Sequence, residues 1–147
     1  MKITEKGKSV CGIVLPQNPT KRELHAAEEI ICYIKKISGA EIEITDKYEY
    51  KIIIGEPDKN DYAKELMSQQ EFEKLVPGPE GFIIYSDEKC LFLAGSSKNE
   101  HEMERGTVYA VYEFLERCLG CSLCAYSKDN VDAGEYLPEK SDIEIDI

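Results

Sequence analysis

Residues 9–39 read SVCGIVLPQNPTKRELHAAEEIICYIKKISG, and this stretch predicts a strand followed by a helix. Residues 9–15 are apolar and partly β-branched, which is typical of a short buried strand. Residues 20–23 (TKRE) match the capping-box pattern that begins many helices. Apolar residues then recur at helical spacing over residues 24–37, and Gly39 is well placed to end the helix in a left-handed conformation. We therefore expect an amphipathic helix that lies on a sheet.

Strand and helix patterns alternate through the rest of the chain. We predict, in order, a half-exposed strand at 41–45, an interior strand at 51–55, one helix within 58–75, a hairpin of strands 81–86 and 89–95, a helix at 105–119 that ends at Gly120, and an edge strand at 142–147. This order predicts a single domain over residues 1–147. Its fold class is α+β, with α/β layers in which helices pack on a mixed β-sheet.

The charge balance excludes two classes of partner. The 147 residues include 29 acidic and 18 basic side chains, for a formal net charge of −11. A nucleic-acid binder needs a basic face, and docking on an anionic membrane also needs positive charge. No apolar run approaches the roughly 20 residues of a membrane span. We therefore predict no nucleic acid and no membrane among the partners.

The two ends of the chain suggest an excised domain. Residues 1–7 lack the hydrophobic stretch of a signal peptide, so we expect a cytoplasmic protein if Met1 is the native start. If a signal was removed, the protein is extracytoplasmic. The predicted strand at 142–147 runs to the last residue, where a chain seldom ends, so we expect further sequence to follow.

Three of the six cysteines form the most tempting metal motif. Cys118, Cys121 and Cys124 are spaced like the first three ligands of a bacterial ferredoxin cluster. The fourth ligand is expected at position 128, which is Lys128, and no nearby side chain completes a zinc site. We therefore expect these cysteines to pack as small apolar side chains and predict no metal or other cofactor.

The sequence points to no catalytic centre within the chain. His25 lies on the polar side of the predicted first helix and His101 lies in a polar loop, so we expect both to be solvated. No serine or cysteine stands in a nucleophile-elbow pattern, and residues 95–98 are too short for a Walker motif. Nothing marks two carboxylates as a glycosidase pair across a cleft. We predict no catalytic residue.

The predicted helix at 105–119 has an unusually wide apolar side. Its apolar positions cover roughly 200°, about twice the arc that a helix needs to cover one sheet. Either the helix is fully buried in this domain, or it contacts a second domain or subunit as well. If the helix contacts a second domain or subunit, we expect Arg105, Tyr109 and Tyr112 at the contact, because each joins apolar area to a polar group.

Five segments of the chain resemble a known accessory domain and follow one another in the order found in that family. The most specific is RGTVYAVYEFLE at 105–116, followed by LGC at 119–121; the others are 26–39, 52–55, 81–84 and 91–95. They resemble the domain that lies ahead of the catalytic barrel in α-glucuronidases and β-N-acetylhexosaminidases. The resemblance implies a β-N-acetylhexosaminidase domain-2-like fold without catalytic residues, followed by a (β/α)₈ barrel that carries the chemistry. Relatives often have an Arg-aromatic pair after LGC, whereas SLCA stands here, which puts the usual junction with the barrel in doubt.

The resemblance makes one function the leading expectation and leaves two rivals. We expect a non-catalytic N-terminal accessory domain of a glycoside hydrolase in carbohydrate metabolism, whose partner is the downstream catalytic domain of the same polypeptide. The alternative is a carbohydrate-binding module, for which the tyrosines of Tyr48-Glu49-Tyr50 are the only obvious sugar platform. A stand-alone hydrolase would need a catalytic pair. Dimerisation of the isolated domain stays open.

Overall fold

The computed structural model describes residues 1–76, 81–96, 106–123 and 135–145. Within these residues, four helices and ten strands follow one another in the order β1 (Lys2–Glu5), β2 (Lys8–Ser9), β3 (Cys11–Val14), α1 (Lys21–Ser38), β4 (Glu43–Ile44), β5 (Tyr50–Ile54), α2 (Asp61–Leu66), α3 (Gln69–Leu75), β6 (Phe82–Ser86), β7 (Cys90–Gly95), α4 (Gly106–Arg117), β8 (Ser122–Leu123), β9 (Glu135–Tyr136) and β10 (Ile143–Glu144). None of the described helices combines the length and apolarity of a membrane span.

The main sheet has five strands in the order β4-β3-β5-β7-β6. The first four of these run parallel, and β6 pairs with β7 in the antiparallel direction. This mixed sheet with packed helices confirms the expected α+β layering at the level of class. The predicted β6–β7 hairpin and the interior position of β5 are also confirmed.

Helices cover both faces of the main sheet, and β5 shows how the sequence directs this. Its side chains alternate, so Ile52 and Ile54 join a core with α1 and α4, while Ile53 joins a second core with α2 and α3. In the second core the Phe72 ring of α3 lies 6.4 Å from the Phe92 ring of β7, centroid to centroid. A strand that is apolar on both faces therefore lies between two helical layers.

Both ends of α1 form as the sequence predicts. The Thr20 hydroxyl accepts a hydrogen bond from the Glu23 amide, and the Glu23 carboxylate accepts one from the Thr20 amide. At the other end Gly39 has φ of 78° and donates its amide to the Lys35 carbonyl. The capping box and the glycine cap satisfy backbone groups that the helix leaves unpaired.

Two predicted elements differ from the structure. The single helix expected within 58–75 is two short helices, because Met67 is extended and Ser68 begins α3 with its own capping box on Glu71. The strand expected at 41–45 is shorter, because β4 spans only Glu43–Ile44. Glu41 and Glu43 are exposed, as predicted for the polar face, but the apolar face is not wholly buried, since Ile42 is buried while Ile44 is 52% exposed. The second difference has a structural reason, since β4 is a two-residue edge strand at a cleft.

A small sheet of order β10-β1-β2 joins the two ends of the chain. The prediction placed no strand before residue 9, but Lys6 and Gly7 both have positive φ and close a tight hairpin between β1 and β2. The predicted edge strand is confirmed over its described part as β10, which pairs with β1. The Met1 ammonium donates to the Ile145 carbonyl at 3.0 Å.

Helix α4 is fixed against β7 by close backbone contact. The Thr107 hydroxyl accepts a hydrogen bond from the Gly95 amide at 2.9 Å. A Cβ added to Gly106 would lie 2.1 Å from the Gly81 carbonyl oxygen, so only glycine fits at the start of this helix. After α4, Gly120 takes φ of 75° and the Cys121 amide reaches back to the Leu115 carbonyl, as predicted for a glycine-ended helix.

Candidate functional site

The helix predicted to contact a second domain is α4. It packs on β6 and β7 with one side and on α1 with another. Its wide apolar arc therefore has two neighbours inside this domain, the sheet and α1. Arg105 lies outside the described residues, while Tyr109 and Tyr112 are half-buried. Contact of these tyrosines with another domain stays a prediction.

Tyr112 lies where α4 meets α1. Its ring packs against the larger core, and partial burial raises the pKa of its hydroxyl, with a further contribution from the Glu29 carboxylate of α1. His25 of α1 lies 3.6 Å from the same carboxylate. Tyr112 therefore joins the two helices at the outer rim of their contact.

The outward side of the α1–α4 layer keeps several apolar side chains in partial contact with water. We call it the outer helix face and define it by Leu24, Ile31 and Cys32 of α1 and Tyr109 and Tyr112 of α4. Leu24 is 40% exposed, Cys32 is exposed, and Ile31 is half-buried. Spacings of seven and eight residues place the three α1 side chains on one side of that helix.

A second feature is an open cleft at the carboxyl ends of β3, β4 and β5. Its volume is about 620 Å³. The chain leaves β3 toward α1 on one face of the sheet and leaves β5 toward α2 on the other, so the cleft opens between two diverging loops. The lining residues fall in three segments, 13–19, 44–46 and 58–62.

Asn60 holds the two diverging strands together beneath this cleft. Its side-chain amide donates to the carbonyls of Val14 in β3, at 3.1 Å, and Ile54 in β5, at 2.8 Å. Its Oδ1 accepts from the Tyr62 amide and so caps α2. Asn60 is only 3% exposed, and these three hydrogen bonds meet the needs of a buried amide.

Glu23 is a buried carboxyl group that lies behind the cleft wall. It is 1% exposed, and its Oε1 serves the capping box while its Oε2 has no hydrogen-bond partner. Burial raises the pKa of the Glu23 carboxyl, hydrogen bonds from Thr20 oppose the rise, and Lys59 and Glu56 act in opposite directions. Glu56 is itself 2% exposed. Two carboxyl groups are therefore buried where the loops after β3 and β5 meet.

The rim of the cleft is polar. The Tyr62 hydroxyl donates to Asp46 Oδ2 at 3.0 Å, and the pKa of Tyr62 is raised chiefly by this hydrogen bond. The Lys51 ammonium lies 5.6 Å from the centre of the Tyr62 ring. Asp58 donates its backbone amide to the Gln69 side chain. These contacts fix the loop after β5 at the cleft mouth.

The remaining candidates from the sequence have ordinary surroundings where they are described. Cys121 is buried and Cys118 packs against the same core, whereas His101 and Cys124 lie outside the described residues. Burial raises the pKa of the Cys118 thiol. Within the described ranges, no group of three or more histidine, cysteine or acidic side chains is placed to hold a metal ion.

The tyrosines proposed as a sugar platform are engaged in packing. Tyr50 packs against the larger core and is half-buried. Tyr48 is also half-buried, and a Cβ added to Gly12 would lie 3.2 Å from its Cδ2, so its ring covers the backbone of β3. Part of each side chain stays accessible, and a sugar-stacking role for these tyrosines stays a prediction.

Sequence reasoning missed the cleft and its tie at Asn60. Two local signals pointed there: Gly55 directly after a buried strand, and an asparagine just before a short helix. What no local signal gives is the pairing of β3 with β5, which brings these loops together. A scan of protein-family models and a search of curated proteins gave no match to this chain.

Proposed function

We propose that this chain is a non-catalytic accessory domain of a glycoside-hydrolase-like protein and packs against a following (β/α)₈ catalytic barrel. The finer fold in this proposal is that of the β-N-acetylhexosaminidase domain 2. The observation that carries it is the outer helix face, where Leu24, Tyr109 and Tyr112 keep apolar area exposed beside a buried α1–α4 contact. A helical layer of this kind suits the border between two domains.

The polar groups around the outer helix face are typical of an interface between two domains. Glu113 and Arg117 form a 2.7 Å ion pair on α4, and the tyrosines carry hydroxyl groups at the ends of their rings. Interfaces commonly combine aromatic anchors with a polar rim. Tyr109 is the proposed centre of the contact, and Arg105, four residues earlier in the sequence, is proposed to take part in it.

A binding assay tests the proposal. The segment encoded directly after Ile147 is expressed separately, and its affinity for this chain is measured by calorimetry. We expect Tyr109→Ala to weaken binding about tenfold or more, as for an aromatic anchor. The matched control is Tyr85→Ala, which removes a 41% exposed tyrosine from β6. Absence of binding, or equal losses for both variants, would contradict the proposal.

The proposal gives the chain itself no catalytic role. Turnover of aryl glycosides by the purified chain is the direct check. We expect no turnover above the buffer rate, whereas activity that persists through purification and is lost on Glu23→Gln substitution would overturn the assignment.

A further inference from the structure

We infer that the cleft at the ends of β3, β4 and β5 is a binding site for a small organic cation: a primary amine on a short apolar body. The inference is independent of the proposed function, because the cleft lies at one edge of the sheet and the outer helix face lies on one helical layer. It rests on the position, rigidity, charge and apolar walls of the cleft.

The position is where open α/β sheets bind ligands. The loops after adjacent parallel strands diverge here to opposite faces of the sheet, which opens a crevice at the carboxyl ends of the strands. The volume of about 620 Å³ falls within the range of small-molecule sites. It would hold a compact ligand.

The segments that form the cleft are tied to one another. Asn60 ties the ends of β3 and β5 together, as described above. On the loop after β5, Gly55 takes φ of 108°, and an added Cβ would lie 2.5 Å from Pro16 Cγ. The two loops therefore touch behind the cleft wall, and binding need not order them.

Anionic ligands are disfavoured although two helices begin at the cleft. The first turn of α1 is already served by Thr20 and Glu23, and the first turn of α2 by Asn60. Asp61 adds its own negative charge at the start of α2. A phosphate or carboxylate would compete with these capping side chains and would meet a like charge.

The lining instead suits a positively charged donor. Three aspartates and one lysine line the cleft: Asp46, Asp58, Asp61 and Lys59. A second cation, the Lys51 ammonium, lies at the rim over the Tyr62 ring, so carboxylates outnumber ammonium groups by three to two. The Lys59 charge also acts on Glu23, behind the wall. Added to a molecular charge of −11, this arrangement attracts cations. An ammonium group offers three donors and no acceptor, which matches a rim of carboxylates.

The apolar part of the ligand has a defined place. Ile44 is 52% exposed on the edge strand and faces the cleft with Pro16 and Pro19. An alkyl chain laid against these side chains would cover area that water now contacts. The inferred ligand therefore has a charged end toward the aspartates and an apolar body toward Ile44.

Titration followed by amide NMR tests the inference with pentylamine as the probe. We expect saturable shifts at residues 13–19, 44–46 and 58–62 that weaken as salt is added. The neutral alcohol pentanol and the anion pentanoate, of equal chain length, serve as matched probes, and we expect neither to give these shifts. Equal shifts with pentanol, or shifts with pentanoate, would overturn the inferred charge of the ligand.

Variants distinguish a specific binding site from general attraction of cations to an acidic surface. Asp46→Asn and Asp61→Asn should each weaken pentylamine binding about two- to fivefold, the effect of one solvent-exposed ion pair. Glu88→Gln is the control, since this exposed residue lies in the turn between β6 and β7, at the amino end of β7 and away from the carboxyl ends that form the cleft. Equal effects of all three variants, or no saturable binding, would overturn the inference.

Discussion

The side chain of Asn60 makes three hydrogen bonds at once, to two strands and one helix start. Asn60→Ala leaves two buried carbonyls without donors and removes the cap of α2. We expect the free energy of unfolding to fall by about 2–4 kcal/mol, as for lost buried hydrogen bonds and a lost cap. Urea denaturation measures this change.

The control for Asn60 is Asn18→Ala, in the exposed part of the loop after β3. An exposed substitution of this kind should change stability by less than about 0.5 kcal/mol. Equal stabilities of the two variants would show that the tie between β3 and β5 contributes little.

Glu23 makes stability depend on pH. Burial raises its folded-state pKa above the ordinary glutamate value. The stability that its protonated form contributes is therefore fully present below the unfolded pKa and is lost as the pH rises through the folded pKa. The positive charge of Lys59 lowers the pKa of Glu23, whereas the negative charge of Glu56 raises it further.

The variant Glu23→Gln keeps a carbonyl acceptor for the Thr20 amide and cannot ionise. We expect the urea midpoint of the unchanged protein to fall more steeply than that of the variant as the pH rises above the ordinary glutamate pKa, which is about 4.3. Parallel pH profiles would contradict a raised pKa at Glu23.

The cysteines differ in reactivity because they differ in burial. Burial raises the pKa of Cys11 to about 12, whereas Cys32 is exposed on α1. Since the thiolate is the reactive form, we expect iodoacetamide to label Cys32 in the native protein and Cys11 only after unfolding. Mass spectrometry of peptides from native and urea-treated samples checks this, and early labelling of Cys11 would contradict its burial.

At the scale of elements, the close contact between α4 and β7 depends on two glycines, Gly106 of α4 and Gly95 of β7. A methyl group on Gly106 would meet the Gly81 carbonyl, so Gly106→Ala should destabilise the protein by about 1–3 kcal/mol through overpacking. Gly39→Asn is the control, because an added Cβ there meets nothing within 4 Å and asparagine tolerates a left-handed cap. Similar thermal midpoints for the two variants would contradict the close contact.

Elements with strong local signals were predictable from the sequence. The capping box at Thr20–Glu23 and the caps at Gly39 and Gly120 depend on neighbouring residues only, so both helices appear where expected. The two-sided burial of β5 followed from its continuous apolar run. These predictions succeeded because chain-local chemistry decides them.

Features that depend on distant pairing were not predictable. Residues 2–5 form a strand because β10, at the far end of the chain, pairs with them. The helical region 58–75 divides at Met67, where α3 gains its own capping box at Ser68. The cleft required the parallel pairing of β3 and β5, which no single segment encodes. The candidate site therefore appeared only with the sheet order.

At the scale of the whole molecule, two surfaces are suited to two different kinds of partner. The outer helix face offers apolar and aromatic area for a protein partner, while the cleft offers an acidic rim around apolar walls. The cleft lies at the carboxyl ends of the strands, whereas the outer helix face lies on the α1–α4 layer, so the two surfaces are distinct. A domain border and a small-ligand site are therefore compatible in one polypeptide.

We propose that a catalytic barrel follows this domain in the polypeptide. The first measurement to make is the coding sequence downstream of the Ile147 codon. We expect several hundred further residues in an alternating strand–helix pattern, with the catalytic carboxylates among them. A stop codon directly after Ile147 would overturn the proposal.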